Sequence, residues 1–410
     1  MPDRTDTHVL KLEAETTFNV ENAAPAPISI LQWDLDPAGL KRAVIENQGT
    51  SPDTGTFVPG AGLQYESEVP FSTYAESLAT PAGDAITPTI PVFADLLGAT
   101  LGEAPYQSTG SKVATASAPT VTQVEEDVPG AHGGDQLVGF GFADGRVEVR
   151  PVGVYLLGVM TLLMELTAAP DDTLASEDTI YGSVLVDEIE EVNHTIQGQI
   201  VGENTAQNWK IRGCVNNLTW EEATEGESQT LSHTLNVASF DPNVAGLVQD
   251  SPSVQRPLVN AGSEYLLARY GETVAVPLCL ARVQLETGRE YKQVPCGHDN
   301  LDGIQGWILT GPPSYTFTVH VFDDQALPTG GTTTTWYDVF GSDDETENQF
   351  HLLINSGQQI PGRVFSIYGR KLYLAMDPDP VSIDGLGAFK LTFRPVVDST
   401  IDHKITMALT

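Results

Sequence analysis

The chain has 410 residues, of which 40% are hydrophobic, so its length allows two or three domains with buried cores. Fifty-five Asp and Glu residues against 20 Lys and Arg residues give a net charge of −35, which disfavours affinity for the phosphates of nucleic acids. Charged residues make up only 18% of the chain, and the 38 Gly and 27 Pro residues are typical of an all-β protein with many turns.

The beginning of the chain predicts an arm, a strand and a helix. Residues 1–16 are polar and are interpreted as a loose N-terminal arm. They lack the apolar run of a secretory signal, so we expect a protein made in the cytoplasm. Leu63–Phe71 alternates apolar and polar residues, as a half-buried strand does. Pro91–Leu101 predicts a short helix, because Pro favours the first turn and four large apolar residues share one side.

The middle of the chain contains its most apolar stretch, Val152–Leu166. Its length suits a buried helix and its Val and Thr content suits a strand, so both structures stay open. About 15 residues interrupted by Gly and Glu are too few to span a bilayer, and no membrane contact is expected. Strands are predicted at Ile180–Val186 and Glu190–Ile200. Trp209–Phe240 predicts several short strands with a turn at residues 225–227.

The last part of the chain begins with a segment rich in Pro, Gly, Asn and Ser, in which we place a linker at residues 246–262. This divides a first β domain with insertions, residues 17–245, from a second β domain, residues 263–410. Trp336–Phe340 predicts a single helical turn. Further strands are predicted at Thr273–Glu286, Gly306–Thr310, Ser314–Phe322, Phe350–Ile354, Arg363–Met376, Ala388–Pro395 and Ile401–Leu409.

Both halves show the same order of a strand, a loop of Pro, Gly and Thr, and a short helix. The first example is Leu63–Phe71 with the helix at Pro91, and the second is Ser314–Phe322 with Trp336–Phe340. Duplication of a β domain explains this order, and chance recurrence of common elements is the alternative. Duplication is favoured, and the predicted fold class is therefore all-β with minor α, in sandwich or barrel domains with short flanking helices.

A search for catalytic patterns finds no GxSxG, HExxH, P-loop or GxGxxG motif, and the eight histidines are scattered. We therefore predict no enzyme and no catalytic, cofactor-binding or metal-binding residue. His320 lies in a strand pattern and is given a structural role. The acidic cluster of residues 343–347 and the Asp377-Pro-Asp-Pro segment are interpreted as polar turns. Three cysteines without CxxC spacing are predicted to be small buried hydrophobes: Cys214, Cys279 and Cys296.

Four stretches in order carry a resemblance to a known family. Glu66–Gly102 places a strand, a loop and the sequence PVFADLLGATLG in succession, and Trp209–Phe240 is a hairpin centred on Gly. Gly303–Asp324 contains a strand pair with an acidic end, and Leu353–Thr410 ends in a terminal strand after SGQQIPG. In this order and spacing the chain resembles the tail tube proteins of long-tailed bacterial and archaeal viruses. The Gly-rich segment Ala131–Gly145 departs from the family pattern and is interpreted as an insertion.

The resemblance implies a structural virion protein without chemistry of its own. Sheets of neighbouring copies would join edge to edge into a ring, and rings would stack into the tail tube that conducts DNA. The turn-rich segment Ile45–Leu63 is the candidate loop for stacking. One-domain family members close as six copies, so a duplicated chain would close as three, and this trimer is favoured over a hexamer. Implied partners are the tape-measure, tail-terminator and baseplate proteins.

The acidity then gains a function, because a bore lined by carboxylates repels DNA phosphates instead of holding them. No Lys or Arg lies in residues 43–111 or 151–209, and these stretches are the candidates for the lumen. Adaptation to high salt, in which ions screen crowded carboxylates, is an equal interpretation of the charge.

Two other functions are kept as alternatives. The first is another virion part, such as a distal tail ring or a head–tail connector. The second is a β-rich glycan-binding or hydrolytic protein of a salt-loving cell, in which paired carboxylates would serve glycoside hydrolysis. A chain with 55 acidic residues offers many chance carboxylate pairs, so their presence does not favour the hydrolase.

Overall fold

A computed structural model describes the chain in ten ranges: 9–18, 25–32 without 29, 67–78 without 76 and 77, 90–202 without 174 and 175, 208–248, 257–295, 304–323 without 312 and 313, 326–333, 335–396 and 405–410. The described residues form a mostly β protein with two α-helices, which confirms the predicted fold class of all-β with minor α.

Residues 9–242 contain sixteen of the described strands and one helix. The helix α1 is Val92–Leu101, and the strands in chain order are β1 (Val9–Ala14), β2 (Ala26–Ile28), β3 (Ile30–Gln32), β4 (Ser67–Tyr74), β5 (Tyr106–Gln107), β6 (Ser111–Lys112), β7 (Gln123–Glu125), β8 (Leu137–Gly141), β9 (Val147–Leu156), β10 (Val159–Leu162), β11 (Thr179–Tyr181), β12 (Val184–Asp187), β13 (Ile196–Val201), β14 (Trp209–Glu221), β15 (Thr230–Val237) and β16 (Ser239–Pro242).

The second half contains the other described strands and the second helix. The helix α2 is Trp336–Phe340, a 3₁₀ turn follows at Glu345–Asn348, and the strands are β17 (Glu264–Arg269), β18 (Val276–Pro277), β19 (Leu280–Glu286), β20 (Tyr291–Pro295), β21 (Ile304–Leu309), β22 (Thr316–Phe322), β23 (Gln349–Gly357), β24 (Val364–Leu374), β25 (Asp379–Ile383), β26 (Leu386–Pro395) and β27 (Ile405–Leu409). Both predicted helices are present.

The two halves repeat one order of antiparallel pairing. The first series runs β2–β1–β13–β14–β15–β4–β3, and β16 pairs with the start of β14. The second series runs β18–β17–β23–β24–β26–β22–β19, and β27 pairs with the start of β24. The helices α1 and α2 also occupy the same place in chain order. This repeated topology is what a duplicated β domain would produce.

A matching irregularity fixes how the two series correspond residue by residue. The register between β3 and β4 shifts between Ile30 and Gln32, and the register between β19 and β22 shifts between Leu280 and Arg282. A register shift of this kind marks a β-bulge, which bends the strand locally. Because the two shifts lie at the same place in the two ladders, β3 is the counterpart of β19 and β4 is the counterpart of β22.

Residues of both predicted domains pack together in the largest hydrophobic core. The largest hydrophobic cluster combines Trp220 and Leu231 of the first series with Leu285 and Phe365 of the second. The predicted domains 17–245 and 263–410 therefore share the largest core, while a second apolar cluster belongs to the first series alone. Burial of one continuous apolar core favours unfolding of both halves together.

The predicted linker and the predicted arm are also built into this structure. In the linker 246–262, Leu258 is 1% exposed, donates its N–H to the Ala75 carbonyl at 2.9 Å and belongs to the shared core. In the arm 1–16, residues 9–14 form β1, where Leu10 and Leu12 are fully buried beside β13. The prediction of a loose arm is wrong for these residues, because three apolar side chains in alternation outweigh the polar composition around them. Residues 1–8 and 249–256 lie outside the described ranges.

The insertion in the first half is larger than predicted and forms a small barrel. Its strands pair in the order β6–β11–β8–β9–β10–β7, and a bridge between Val113 and Glu126 joins the two ends. Its interior is a separate apolar cluster that includes Phe140 and Met160. The predicted insertion Ala131–Gly145 is one part of this barrel.

The ambiguous apolar stretch Val152–Leu166 is a hairpin of β9 and β10, not a helix. Leu157 and Gly158 join the strands with φ angles of 53° and 91°. Two consecutive residues with positive φ make the tight turn that matches the twist of a two-residue hairpin. The β-branched residues therefore decide the structure of this stretch.

A buried polar network beside α1 holds His233 neutral. The Asn216 side-chain amide donates to His233 Nδ1 at 2.9 Å, so the other ring nitrogen, Nε2, donates to Thr73 Oγ1 at 3.0 Å. Burial lowers the pKa of His233 to about 3. In the second series, burial lowers the pKa of His351 to about 4, and its Nε2 accepts the Gly271 N–H at 3.3 Å.

We expect the protein to lose stability as the pH falls from 7.5 towards 5. The unfolded chain takes up protons at both histidines below about pH 6.5, whereas the folded chain does not, so the free energy of unfolding falls with the pH. Each site contributes about 1.4 kcal/mol per pH unit well below pH 6.5. Urea midpoints across this range would measure the slope.

The variant His233→Gln removes one of these protons and should flatten the slope. The half-exposed His320 provides the control, because His320→Gln should change the slope less. An unchanged slope in His233→Gln would show that His233 is not held neutral in the folded protein.

Candidate assembly surfaces

The two series meet in an edge-to-edge joint between β14 and β19. Thr219, Trp220 and Glu221 lie opposite Glu286, Leu285 and Gln284 in antiparallel register. The ladder continues at both ends. Glu222 N donates to the Val283 carbonyl at 3.0 Å, and Thr287 N donates to the Leu218 carbonyl at 3.0 Å. The chain thus contains one complete example of sheet edges joined by backbone hydrogen bonds.

One face of this joint is buried and the other is exposed. Trp220 and Leu285 are fully buried in the shared core. On the exposed face, Arg282 Nε lies 2.6 Å from Glu221 Oε1, with both side chains about half exposed. Exposed ion pairs contribute little to stability, so the joint depends on the ladder and on the buried apolar face.

The hairpin of β20 and β21 crosses over the first series beside the joint. Trp307 Nε1 donates to the Gly213 carbonyl at 2.6 Å, and the Tyr291 hydroxyl donates to the Asn216 carbonyl at 3.0 Å. The buried Arg289 reaches further and donates from Nη1 to the Thr100 carbonyl at 3.0 Å. An excursion between β19 and β22 of the second series therefore contacts the first series. The predicted stacking loop Ile45–Leu63 lies outside the described residues.

A second connection is made by the carboxyl group of Glu222, next to the joint. Its Oε1 accepts hydrogen bonds from Gln229 Nε2 at 2.7 Å, Ser263 Oγ at 2.7 Å and Ser356 Oγ at 3.1 Å. Burial raises the pKa of Glu222 despite these bonds. A cleft of about 560 Å³ lies beside it, lined also by Tyr265. Because three donors from both halves converge on Glu222, its carboxyl group serves to hold the halves together.

In the second series, β25 lies at an edge of the sheet among the described residues. Strand β25 pairs with β26, and no pairing on its other side occurs among the described residues. Its residues are exposed or half-buried along the whole strand. The Asp377-Pro-Asp-Pro segment was predicted to be a polar turn, but it enters a strand at Asp379, and only its first two residues lie outside the strand.

The tip of the small barrel exposes apolar side chains. Val154, Leu156 and Leu157 at the β9–β10 turn are 60%, 65% and 85% exposed, and Val128 beside them is 54% exposed. A group of exposed apolar side chains at one tip is typical of a surface that contacts another molecule.

The predicted lumen stretches contain both surface and core residues. In residues 151–209, Asp178, Asp187 and Glu188 are buried, so these three carboxylates cannot line a bore. The Asp187 carboxylate accepts hydrogen bonds from the Tyr106 hydroxyl at 2.8 Å and from Thr406 Oγ1 at 2.6 Å. Much of the other stretch, residues 43–111, lies outside the described residues. Part of the acidic composition therefore serves the core and not the surface.

The acidic cluster at residues 343–347 is only partly a solvated turn. Asp344 is exposed and caps the 3₁₀ turn by accepting the Thr346 N–H at 2.9 Å. Glu347 is buried, and its Oε2 lies 2.7 Å from Nη1 of the buried Arg269. The Thr332 backbone N–H, together with Arg269, lowers the pKa of Glu347 to about 2. Glu347 therefore forms a buried ion pair, and its prediction as part of a polar turn is wrong.

The structure also places the histidine and the cysteines for which the sequence predicted structural roles. His320 lies in β22 opposite Lys390 and Arg282. Cys214 is buried as predicted, but Cys279 is exposed, because it lies in the short connection that leads into β19. Cys296 lies outside the described residues. Among the residues that the structure describes, no group of three His, Cys, Asp or Glu side chains could hold a metal ion.

Comparisons with known proteins add no family to this description. The sequence matches no protein-family model and no curated protein. The described helices include none that is long and apolar enough to cross a membrane.

Proposed function

We propose that the protein is a self-assembling structural subunit of a virion, the tail tube protein of a long-tailed virus. The observation that carries this proposal is the joint between β14 and β19. Two copies of one strand order are joined there by backbone hydrogen bonds along their edges. Exposed strand edges are normally protected against such pairing, so an edge used in this way is a specific feature.

The same joint, repeated between chains, would close a ring. A chain with two series supplies two of six positions around a sixfold axis, so three copies would complete the ring. The four sequence stretches that resemble tail tube proteins favour a tube over an isolated ring. In this function, the hairpin of β20 and β21 would contact the neighbouring series and keep the two series in register.

The charge of the chain fits a conduit for DNA. A net charge of −35 repels phosphates, and repulsion prevents DNA from binding to the wall as it passes. The same charge keeps unassembled copies apart in solution. Genomic DNA is therefore a passing partner, and the tape-measure, tail-terminator and baseplate proteins would bind the assembled tube in the virion tail.

We expect the melting temperature to rise with protein concentration, because contacts between copies stabilise the folded chain only when copies meet. Differential scanning fluorimetry from 1 to 100 times a starting concentration would measure the shift, with sedimentation velocity at each concentration. High salt should strengthen the shift by screening the repulsion between copies. A melting temperature and a sedimentation coefficient that stay constant over this range would contradict self-assembly.

A further inference from the structure

A chain of polar contacts leads from the backbone of the first half to the carboxyl group of Glu222. Asn260 Nδ2 donates to the Ala223 carbonyl at 2.6 Å, so the amide oxygen Oδ1 is the atom that lies 2.7 Å from Ser263 Oγ. Ser263 Oγ also lies 2.7 Å from Glu222 Oε1. The Ser263 hydroxyl is therefore placed between two oxygens, at a hydrogen-bonding distance from each.

This arrangement has one hydrogen too few if Glu222 is ionised. A serine hydroxyl has a single hydrogen, and neither an amide oxygen nor a carboxylate oxygen supplies another. One of the two short contacts would then join two acceptors. A proton on Glu222 Oε1 removes the conflict, because Glu222 then donates to Ser263 and Ser263 donates to Asn260.

The other contacts of the Glu222 carboxyl group also fit the protonated form. As a hydroxyl oxygen, Oε1 donates once and accepts twice, and the two donors are Gln229 Nε2 at 2.7 Å and Ser356 Oγ at 3.1 Å. Gln229 is oriented to donate there, because its own Oε1 accepts the Ala223 N–H at 3.2 Å. Glu222 Oε2 is buried without a hydrogen bond to the described residues, which costs less for a neutral acid than for a carboxylate.

The charged groups around Glu222 do not favour a carboxylate. Among the described residues that line the adjacent cleft, Arg282 is the only cation, and its Nε pairs with Glu221 at 2.6 Å. The exposed Glu225 adds negative charge, which opposes the ionisation of Glu222. Tyr265 stays neutral, because burial raises the pKa of its hydroxyl. Burial also raises the pKa of Glu222, in agreement with the count of hydrogens.

We propose that Glu222 is a proton-binding site between the two halves, which holds a proton in the folded protein and releases it when the chain unfolds. Gln229 belongs to the first half, whereas Ser263 and Ser356 belong to the second, so the proton completes a network that joins them. Loss of the proton leaves a buried negative charge in a network that lacks a hydrogen, and the halves are then held more weakly. This inference concerns one chain and does not depend on self-assembly.

The variant Glu222→Gln tests the proposal through the pH dependence of stability. The unfolded carboxyl group loses its proton above about pH 4.3, whereas the folded one keeps it, so the folded chain binds one proton more. The unfolding equilibrium constant of the natural protein, divided by that of Glu222→Gln, should therefore rise roughly tenfold per pH unit from about pH 5 towards pH 7. The contributions of His233 and His351 cancel in this ratio. Glu225→Gln is the matched control, and its ratio should stay constant.

Infrared difference spectroscopy detects the proton directly, because a protonated carboxyl group has a C=O stretch that a carboxylate lacks. One such band at about pH 6 should be lost in Glu222→Gln and kept in Glu225→Gln. Asn260→Ala frees the Ser263 hydrogen for Glu222, so the band of this variant should disappear at a lower pH than in the natural protein.

Near-ultraviolet circular dichroism verifies that each variant folds. A ratio that does not change with pH, or a natural protein without a protonated-carboxyl band at about pH 6, would show that Glu222 is ionised. If Glu222→Gln fails to fold, the titration of Asn260→Ala decides, and a band that titrates as in the natural protein would overturn the proposal.

Discussion

Replacing Arg150 by methionine is expected to destabilise the protein by about 3–5 kcal/mol, the cost of removing one partner from a buried ionic group. Arg150 is 1% exposed, although it lies on β9 of the small barrel. Its Nη1 and Nη2 bind the two carboxylate oxygens of Glu264 at 2.8 and 3.0 Å, and Nη2 also binds Glu148 at 3.0 Å. The substitution leaves the buried Glu148 and the partly buried Glu264 without this cation.

The loss should affect the attachment of the barrel in particular. Glu264 belongs to β17 of the second series and also accepts Asn355 Nδ2 at 2.9 Å. An apolar cluster of barrel and second-series residues, among them Val149 and Leu353, surrounds the contact. Hydrogen exchange should therefore report faster opening of the barrel in Arg150→Met than in the natural protein.

Arg146→Met is the matched control for this prediction. Arg146 Nη1 lies 2.8 Å from Glu148, but its side chain is 41% exposed, and the effect should stay below about 1 kcal/mol. Urea denaturation of the two variants gives the comparison. Equal free energies of unfolding for Arg150→Met and the natural protein would show that the buried ionic group contributes nothing.

Replacing Trp220 by alanine is expected to cost about 3–5 kcal/mol, the range for truncating a large aromatic side chain in a core. Trp220 is fully buried, and its ring meets the edge of Phe365 with centroids 6.4 Å apart. Since Trp220 belongs to the first series and Phe365 to the second, the cavity would lie between the two halves. Both halves should then unfold in one transition at a lower temperature.

Near-ultraviolet circular dichroism and tryptophan fluorescence would follow the two halves together. The control is Trp209→Ala, because Trp209 is only partly buried and packs on the core of the first series. It should lower the melting temperature less. Two separate transitions in the natural protein would contradict a core shared by both halves.

The sequence predicted the strands and helices that have a clear period. Alternation identified β4, strands were also predicted at β22 and β26, and both helices have large apolar residues on one side. The strands it missed are short, such as β3, or lie in Gly-rich and polar surroundings, such as β8. Local patterns decide an element only when one face is regularly apolar, and the burial of β1 depends on contacts with β13, which are far away in sequence.

The candidate surfaces depend even more on distant contacts. The sequence predicted a repeat from one strand, loop and helix, but the joint between β14 and β19 became visible only through strand pairing. Pro380 was assigned to a turn, because Asp-Pro pairs favour turns locally. Its position on an outer edge follows from the register with β26. Glu347 was assigned to a solvated cluster for the same reason, since its partner Arg269 is 78 residues away.

The central claim is that identical copies join through their sheet edges, as the two series do within one chain. Negative-stain electron microscopy of the concentrated protein tests it most directly. We expect stacked rings with sixfold features in end views, and a ring mass of three chains by native mass spectrometry. Single closed rings that do not stack would favour another virion part. A chain that remains a monomer at millimolar concentration in high salt would contradict the account.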